Sequence, residues 1–273
     1  MKSRKSGFWL PALLVLAALI VPAGCGSGTS GTVTTAGSTT VQPLAEKLAR
    51  AFRQVNPDVQ VTVSGGGSSV GVKACNDGTV DVGAISRELK PEEPQLVKHL
   101  LARDGIAIIT SPGNPVTELT KAQVRAIFAS TITNWNEVGG PNHSITVIAR
   151  EEGSGTRTAF EEMVMDKPEP AVQIVDTAIL LPFNGAIKFA VSSDKYAIGF
   201  VSFGYVDGKV KALAIDGVAA TAENAKNGDY PIVRPLYFLT REQPGGLVKV
   251  FIDYCLGGEG QAIVSEEGYI SVD

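Results

Sequence analysis

Short apolar runs rich in β-branched residues alternate with stretches of helical period along most of this chain, and that alternation restricts it to α/β architectures. The strand-like runs are TVTTAG, VQVTVSG, VDVGAIS, GIAIIT, ITVIAR, VQIVD, AIGFVS and LYFLT. Between the first two, Val41, Leu44, Ala45, Leu48, Ala49 and Phe52 recur at i, i+3, i+4 spacing, which predicts a helix with one face on a sheet. Asn56-Pro57-Asp58 ends it. The 273 residues are enough for two cores, and neither a solenoid repeat nor a long low-complexity segment follows residue 32.

Three glycine- and hydroxyl-rich turns lead from a strand into a helix: Ala36–Pro43, Ser64–Lys73 and Arg150–Phe160. A helix start presents N–H groups without intrahelical partners and a partial positive charge, so it seats anions. Ser and Thr are also ordinary helix caps and Gly an ordinary turn residue, so each turn alone reads equally as structure. Three together, one with Arg150 on its incoming strand, point to a buried oxyanion. Phe160, Met163 and Val164 then form the packed face of the helix that follows.

Other chemistries find little support. Gly67–Gly71 matches the G-x-S-x-G turn with Ser69 as nucleophile, but the only histidines, His99 and His143, give no triad in the required order. Gly66 and Gly71 have phosphate-loop spacing, yet Val72 stands where the lysine belongs. With two histidines and no C-x-x-C, neither a metal nor a cofactor is expected, and His143 in GGPNHS reads as a solvated turn. The formal charge is −4, and without residues 1–24 the chain keeps 21 basic and 28 acidic residues, a net −7, which disfavours nucleic acid.

Those first 24 residues run from basic MKSRK through apolar FWLPALLVLAALIV to PAGC, as a targeting segment does, and an uncleaved anchor is the alternative for the apolar stretch. The Ala-Gly-Cys ending resembles a bacterial lipobox. That resemblance implies cleavage before Cys25, a lipid anchor on its sulfur, and residues 25–31 as a flexible tether at a membrane's outer face. Cys75 and Cys255 remain, either as a disulfide or as two buried thiols.

GSTTVQPLAEKLARAF, GSSVGVKACNDGTVDVGAISRELK, IFASTITNWNEVGG, ITVIAREEGSGTRTAFEE and GGEGQAIVSEEGYISV together resemble the phosphate-binding proteins of bacterial phosphate ABC transporters, with Arg-x-x-Gly-Ser-Gly-Thr the most specific element. The resemblance implies a type II periplasmic-binding-protein fold of two lobes, each a mixed sheet flanked by helices, joined by a hinge that the chain crosses twice. Lobe one would take residues 32–112 and 203–273, and lobe two residues 113–202. The implied ligand is inorganic phosphate, the implied partner a membrane permease, and the implied state an exported, non-enzymatic monomer. A module that binds phosphate or another tetrahedral oxyanion for sensing is the alternative.

Carried over position by position, the resemblance makes Ser38, Thr39 and Thr40 the first anion loop, Ser68 the second and Ser86 the third contact. From the other lobe it implies Arg150, Ser154, Gly155 and Thr156, with Glu152 holding the arginine. One position departs from the family pattern, in which an aspartate after the third-contact serine accepts the ligand's proton. Here Arg87 stands there. Arg87 then either contacts the anion, pairs with Glu88 or Glu152, or is a solvated charge, and Glu152 or Asp81 becomes the candidate acceptor.

Overall fold

The computed structural model describes residue 1, residues 30–165 and residues 172–272. The expected leader, Cys25 and nearly all of the tether lie outside the described residues. In chain order the elements are β1 (Gly31–Gly37), α1 (Val41–Val55), β2 (Val59–Ser64), α2 (Ser68–Asn76), β3 (Val82–Ile85), β4 (Val97–Thr110), β5 (Glu118–Leu119), α3 (Lys121–Phe128), β6 (Thr146–Arg150) and α4 (Gly155–Met163). There follow β7 (Ile179–Leu181), α5 (Asn184–Ser193), β8 (Ala197–Ser202), β9 (Lys211–Ala212), β10 (Ala214–Ile215), α6 (Ala222–Asn227), β11 (Val233–Thr240), α7 (Gly246–Leu256) and α8 (Gly258–Glu266). The main sheet runs β2-β1-β3-β11-β4-β8-β6-β7, with β9 beside β4. It is mixed: β1 lies parallel to β2 and β3, and β6 parallel to β7 and β8, while β4 and β11 run antiparallel to their neighbours.

Hydrophobic periodicity decides α1: Val41, Leu44, Ala45, Leu48, Ala49 and Phe52 are its buried residues, and Asn56 caps its end. That face enters a first core with Val33, Val82, Leu101, Leu236, Phe238 and Phe251. A second core gathers Ile106, Ile108, Phe128, Trp135, Phe160, Phe200, Leu213, Tyr230 and Ile232. Phe160 stacks on Phe200 at 4.1 Å between ring centroids, and Phe128 tilts against both.

The chain changes cores inside two strands, and once more after α8, where Tyr269 lies in the first core and Ile270 in the second. On β4, Leu101 and Ala102 belong to the first core and Ile106 and Ile108 to the second; from Ile232 to Leu236, on entering β11, it passes back. Ile106, Ile108, Leu213, Ala225 and Ile232, which divisions at 112 and 203 would assign to lobe one, therefore pack with the second core. No Gly- or Pro-rich linker marks the change, because ladder hydrogen bonds carry the chain straight through it.

Two local expectations need revision. GIAIIT is only the second half of β4, whose first half carries Lys98, Arg103 and Asp104 and so lacks an apolar run. VQIVD forms no strand: Ile174 plugs the second core, the Val175 N–H donates to Phe128 O at 2.8 Å, and pairing with β6 falls to Ile179–Leu181. Cys75 and Cys255 are free buried thiols in different apolar clusters, both pushed up by burial. His143 stacks on Tyr196 at 3.5 Å between centroids.

Phe52 is fully buried and meets Phe251 and Tyr254 at 5.3 Å. Phe52→Ala is expected to cost about 3–5 kcal/mol of stability, read from chemical denaturation.

Candidate functional site

All three turns converge between the two cores. After β1, Gly37 holds φ +140°, and a Cβ there would lie 2.2 Å from Ala84 O, so only glycine fits the close approach to β3. The Ser38 N–H donates to Ala84 O at 2.8 Å, and the Ser38 hydroxyl donates to Ser86 Oγ at 2.9 Å while accepting from the N–H of Thr40. The second turn is tied to the first by Gly67 N–H to Gly37 O at 2.9 Å. Its Ser68 Oγ accepts from the Ser86 N–H at 3.1 Å and lies 3.4 Å from Ser86 Oγ. Ser38, Thr40 and Ser68 at the starts of α1 and α2, and Ser86 at the end of β3, are thus buried side by side.

The third turn faces them from the second core. Ser154 caps α4 by accepting from the Arg157 N–H, and Gly155 and Thr156 form its first turn. Thr156 Oγ1 meets Thr40 Oγ1 at 3.1 Å across the cleft. A Cβ on Gly155 would lie 2.1 Å from Ser68 Oγ and 2.6 Å from Ser86 Oγ, so this glycine sets how closely the turns approach. Nearby, the Ser69 N–H donates to Gly153 O at 3.2 Å. Thr39 is half-buried and offers its carbonyl to the Tyr205 hydroxyl at 2.9 Å.

Among the described residues three arginines are buried here, each matched by a carboxylate. Arg150 donates from Nε and Nη2 to Glu151 at 3.0 and 2.9 Å, and from Nη2 to Pro182 O. Its partner is therefore Glu151 and not Glu152, which is exposed and lines an outer cavity of about 330 Å³ with Lys90 and Arg157. Arg87 makes a two-pronged pair with Glu93 at 2.7 and 2.6 Å. It also reaches the Glu88 carbonyl and Ser69 Oγ, and its buried Nε has no partner. Glu93 was not among the partners expected for Arg87. Asp81 accepts from the N–H and hydroxyl of Thr34, both at 2.8 Å and exposed, so neither expected proton acceptor lies among the buried hydroxyls.

Arg234 has no counterpart in the sequence reading. It sits on β11 opposite Asp104 of β4, and its Nε and Nη2 bind Asp104 Oδ2 at 3.0 and 2.8 Å. Its remaining N–H groups reach Thr40 Oγ1 at 3.1 Å and Ser86 Oγ at 3.4 Å. Burial pushes the Asp104 carboxyl up, against the opposing pull of Arg234, the Ser202 hydroxyl and the Phe203 N–H. Asn184, also missed, donates from Nδ2 to Thr40 Oγ1 at 3.0 Å. No local signal marks Arg234, since its partner is 130 residues away. No group of His, Cys, Asp or Glu suited to a metal occurs among the described residues. The assembled groups are donors: hydroxyls, helix-start N–H groups and a guanidinium, which together can replace the hydration shell of a tetrahedral oxyanion.

Burial alone would raise the Glu93 carboxyl, but Arg87 and the Lys90 N–H hold it below the usual range. A depressed carboxyl stabilises the fold above its unfolded value and loses that contribution as pH falls through the folded value. Glu93→Gln should thus cost about 3 kcal/mol at pH 7, a difference in denaturation midpoint that should shrink progressively as pH falls below about 4.

A PBP superfamily domain matches residues 25–259. The phosphate-binding protein PstS of Bacillus subtilis is 33% identical over 284 residues, spanning 95% of this chain and 92% of that protein. A phosphate ABC transporter substrate-binding protein with bound phosphate from Clostridium perfringens is 42% identical at TM-score 0.86, over 89% of this chain and all of that one. An ABC-type phosphate transport receptor from Vibrio cholerae is 34% identical at TM-score 0.74, over 87% of this chain and 99% of its own.

Proposed function

The chain belongs to the PstS-type phosphate-binding proteins of the PBP superfamily, and from that premise we propose how its residues capture inorganic phosphate for delivery to the permease of an ABC transporter. The observation that carries the reading is the meeting of Thr40 from the first turn, Ser86 from the end of β3 and Thr156 from the third turn, with the fixed guanidinium of Arg234 on Thr40 and Ser86. Oxygen lone pairs of a dry, charged ligand each require a donor, because unmet desolvation costs several kcal/mol.

In this reading Ser38, Thr39, Thr40, Ser68 and Ser86 form the first half-site, and Ser154, Gly155 and Thr156 with Arg150 the second. Arg234 joins them as a second guanidinium ligand. Arg87, clamped by Glu93, stands behind them and braces Ser69. The halves swing on β4 and β11, and phosphate touching both favours the closed form. The monomer works outside the cytoplasm, tethered through a lipid on Cys25; among the described residues no helix is long and apolar enough to span a membrane. Its relatives are named as binding proteins, in keeping with capture rather than chemistry.

Calorimetric titration of ligand-stripped protein tests the assignment. Arg234→Ala and Arg150→Ala should each weaken phosphate binding by about 2–4 kcal/mol, roughly 30- to 1,000-fold. Loss of less than about threefold in a folded variant would remove that arginine from the ligand shell. Gly155→Ala, in a variant that melting curves show to be folded, should weaken phosphate at least about tenfold, since its methyl group keeps the turns apart.

A further inference from the structure

Helical hydrogen bonding in α1 starts before its first residue. Thr40 has helical dihedrals, φ −75° and ψ −45°, and the Gln42 N–H donates to Ser38 O at 3.0 Å. The next acceptor along this ladder is the Thr39 carbonyl, whose donor would be the N–H of residue 43. Residue 43 is proline and has none. The hydroxyl of Tyr205 occupies that acceptor at 2.9 Å.

The two residues belong to different halves. Thr39 lies in the turn that the first core carries, whereas Tyr205 ends the single helical turn Phe203–Tyr205 after β8 and packs on an apolar cluster with Ile148, Ile187 and Val201. The adjacent carbonyl is held differently: Thr40 O accepts at 3.1 Å from Tyr269, a member of the first core. One carbonyl of the turn is thus gripped from its own half and the next from across the cleft.

We propose that Tyr205 is a closure latch, a positioning residue that supplies from the second half the hydrogen bond Pro43 withholds, and so sets how slowly captured phosphate departs. The inference rests on the reading above, in which the two halves close over phosphate. As the halves part, the Thr39 carbonyl loses its donor, and α1 cannot supply another from residue 43. Closure restores the bond at the residue between Ser38 and Thr40, both in the proposed first half-site. Because the hydroxyl is directed at a backbone carbonyl, it acts on the lifetime of the closed state and not on the choice of anion.

Stopped-flow kinetics of phosphate with the ligand-stripped protein provide the test. Tyr205→Phe should raise the dissociation rate about five- to thirtyfold, as expected for one unmade buried hydrogen bond, with association changed less than about twofold. The ratio of phosphate to sulfate affinity should stay as in the wild type. Pro43→Ala returns an N–H that can serve the Thr39 carbonyl in open and closed forms alike, so it too should hasten release. In the double variant the effects should not multiply, with Tyr205→Phe adding less than about twofold. Melting curves establish that each variant is folded, and Pro43→Ala probes the same carbonyl without disturbing the Tyr205 packing. Wild-type dissociation rates in folded Tyr205→Phe, or effects that multiply in the double variant, would overturn the latch. A wild-type chain that bound no phosphate would overturn the functional reading and the latch with it, a result distinct from normal binding with unaltered release.

Discussion

Arg234 and Asp104 face each other on neighbouring strands at the level where the chain passes from one core to the other. Burying both charges is expensive, and the arrangement is tolerable because the carboxylate is saturated: one oxygen takes two N–H groups of Arg234, the other the Ser202 hydroxyl and the Phe203 N–H. This ion pair fixes more than itself. It aligns β4 with β11, anchors the end of β8 through Ser202, and leaves the outer edge of the guanidinium aimed at Thr40 and Ser86. The convergence of the turns from the first core on a common point follows from that anchoring. Removing either partner would strand a charge between the cores.

Around this anchor, small residues decide how near the pieces come. Gly37 lets the first turn lie on β3, and Gly155 lets the second core's helix start approach two serines. Backbone N–H groups and hydroxyls can surround a small ion only at such separations. The apolar residues do the complementary task, with the α1 face and the Phe128, Phe160 and Phe200 group holding two of the helix starts in place. The hydroxyls reach the cleft because the helices beneath them are fixed.

What the sequence made legible was local. The α1 face is written in a 3.6-residue period within fifteen residues, and the structure buries the same six side chains. The three turns could be found because each combines its glycines and hydroxyls in one short segment. Arg234 was illegible for the opposite reason: it lies in an ordinary strand, and its meaning comes from Asp104, brought opposite by the β4–β11 register. Glu151 and Glu152 are adjacent carboxylates that composition cannot distinguish, and the choice depends on which one the chain turns toward Arg150 as it leaves β6. Glu93 was passed over because it reaches Arg87 by a loop rather than by helical or strand spacing. VQIVD misled because an apolar stretch can fill a core without pairing in a sheet.

The matching of each buried arginine to its own carboxylate bears on how an anion finds the cleft. A basic patch would draw anions from a distance and weaken as salt screens it. Here Arg87, Arg150 and Arg234 are offset by Glu93, Glu151 and Asp104, in a chain whose formal charge is −4. Little long-range attraction is left, so encounter proceeds by unassisted diffusion and discrimination begins only at contact, through donor geometry. Salt therefore finds no attraction to screen away at the mouth of such a cleft, and added ions can only ease the repulsion between a net negative chain and its anion.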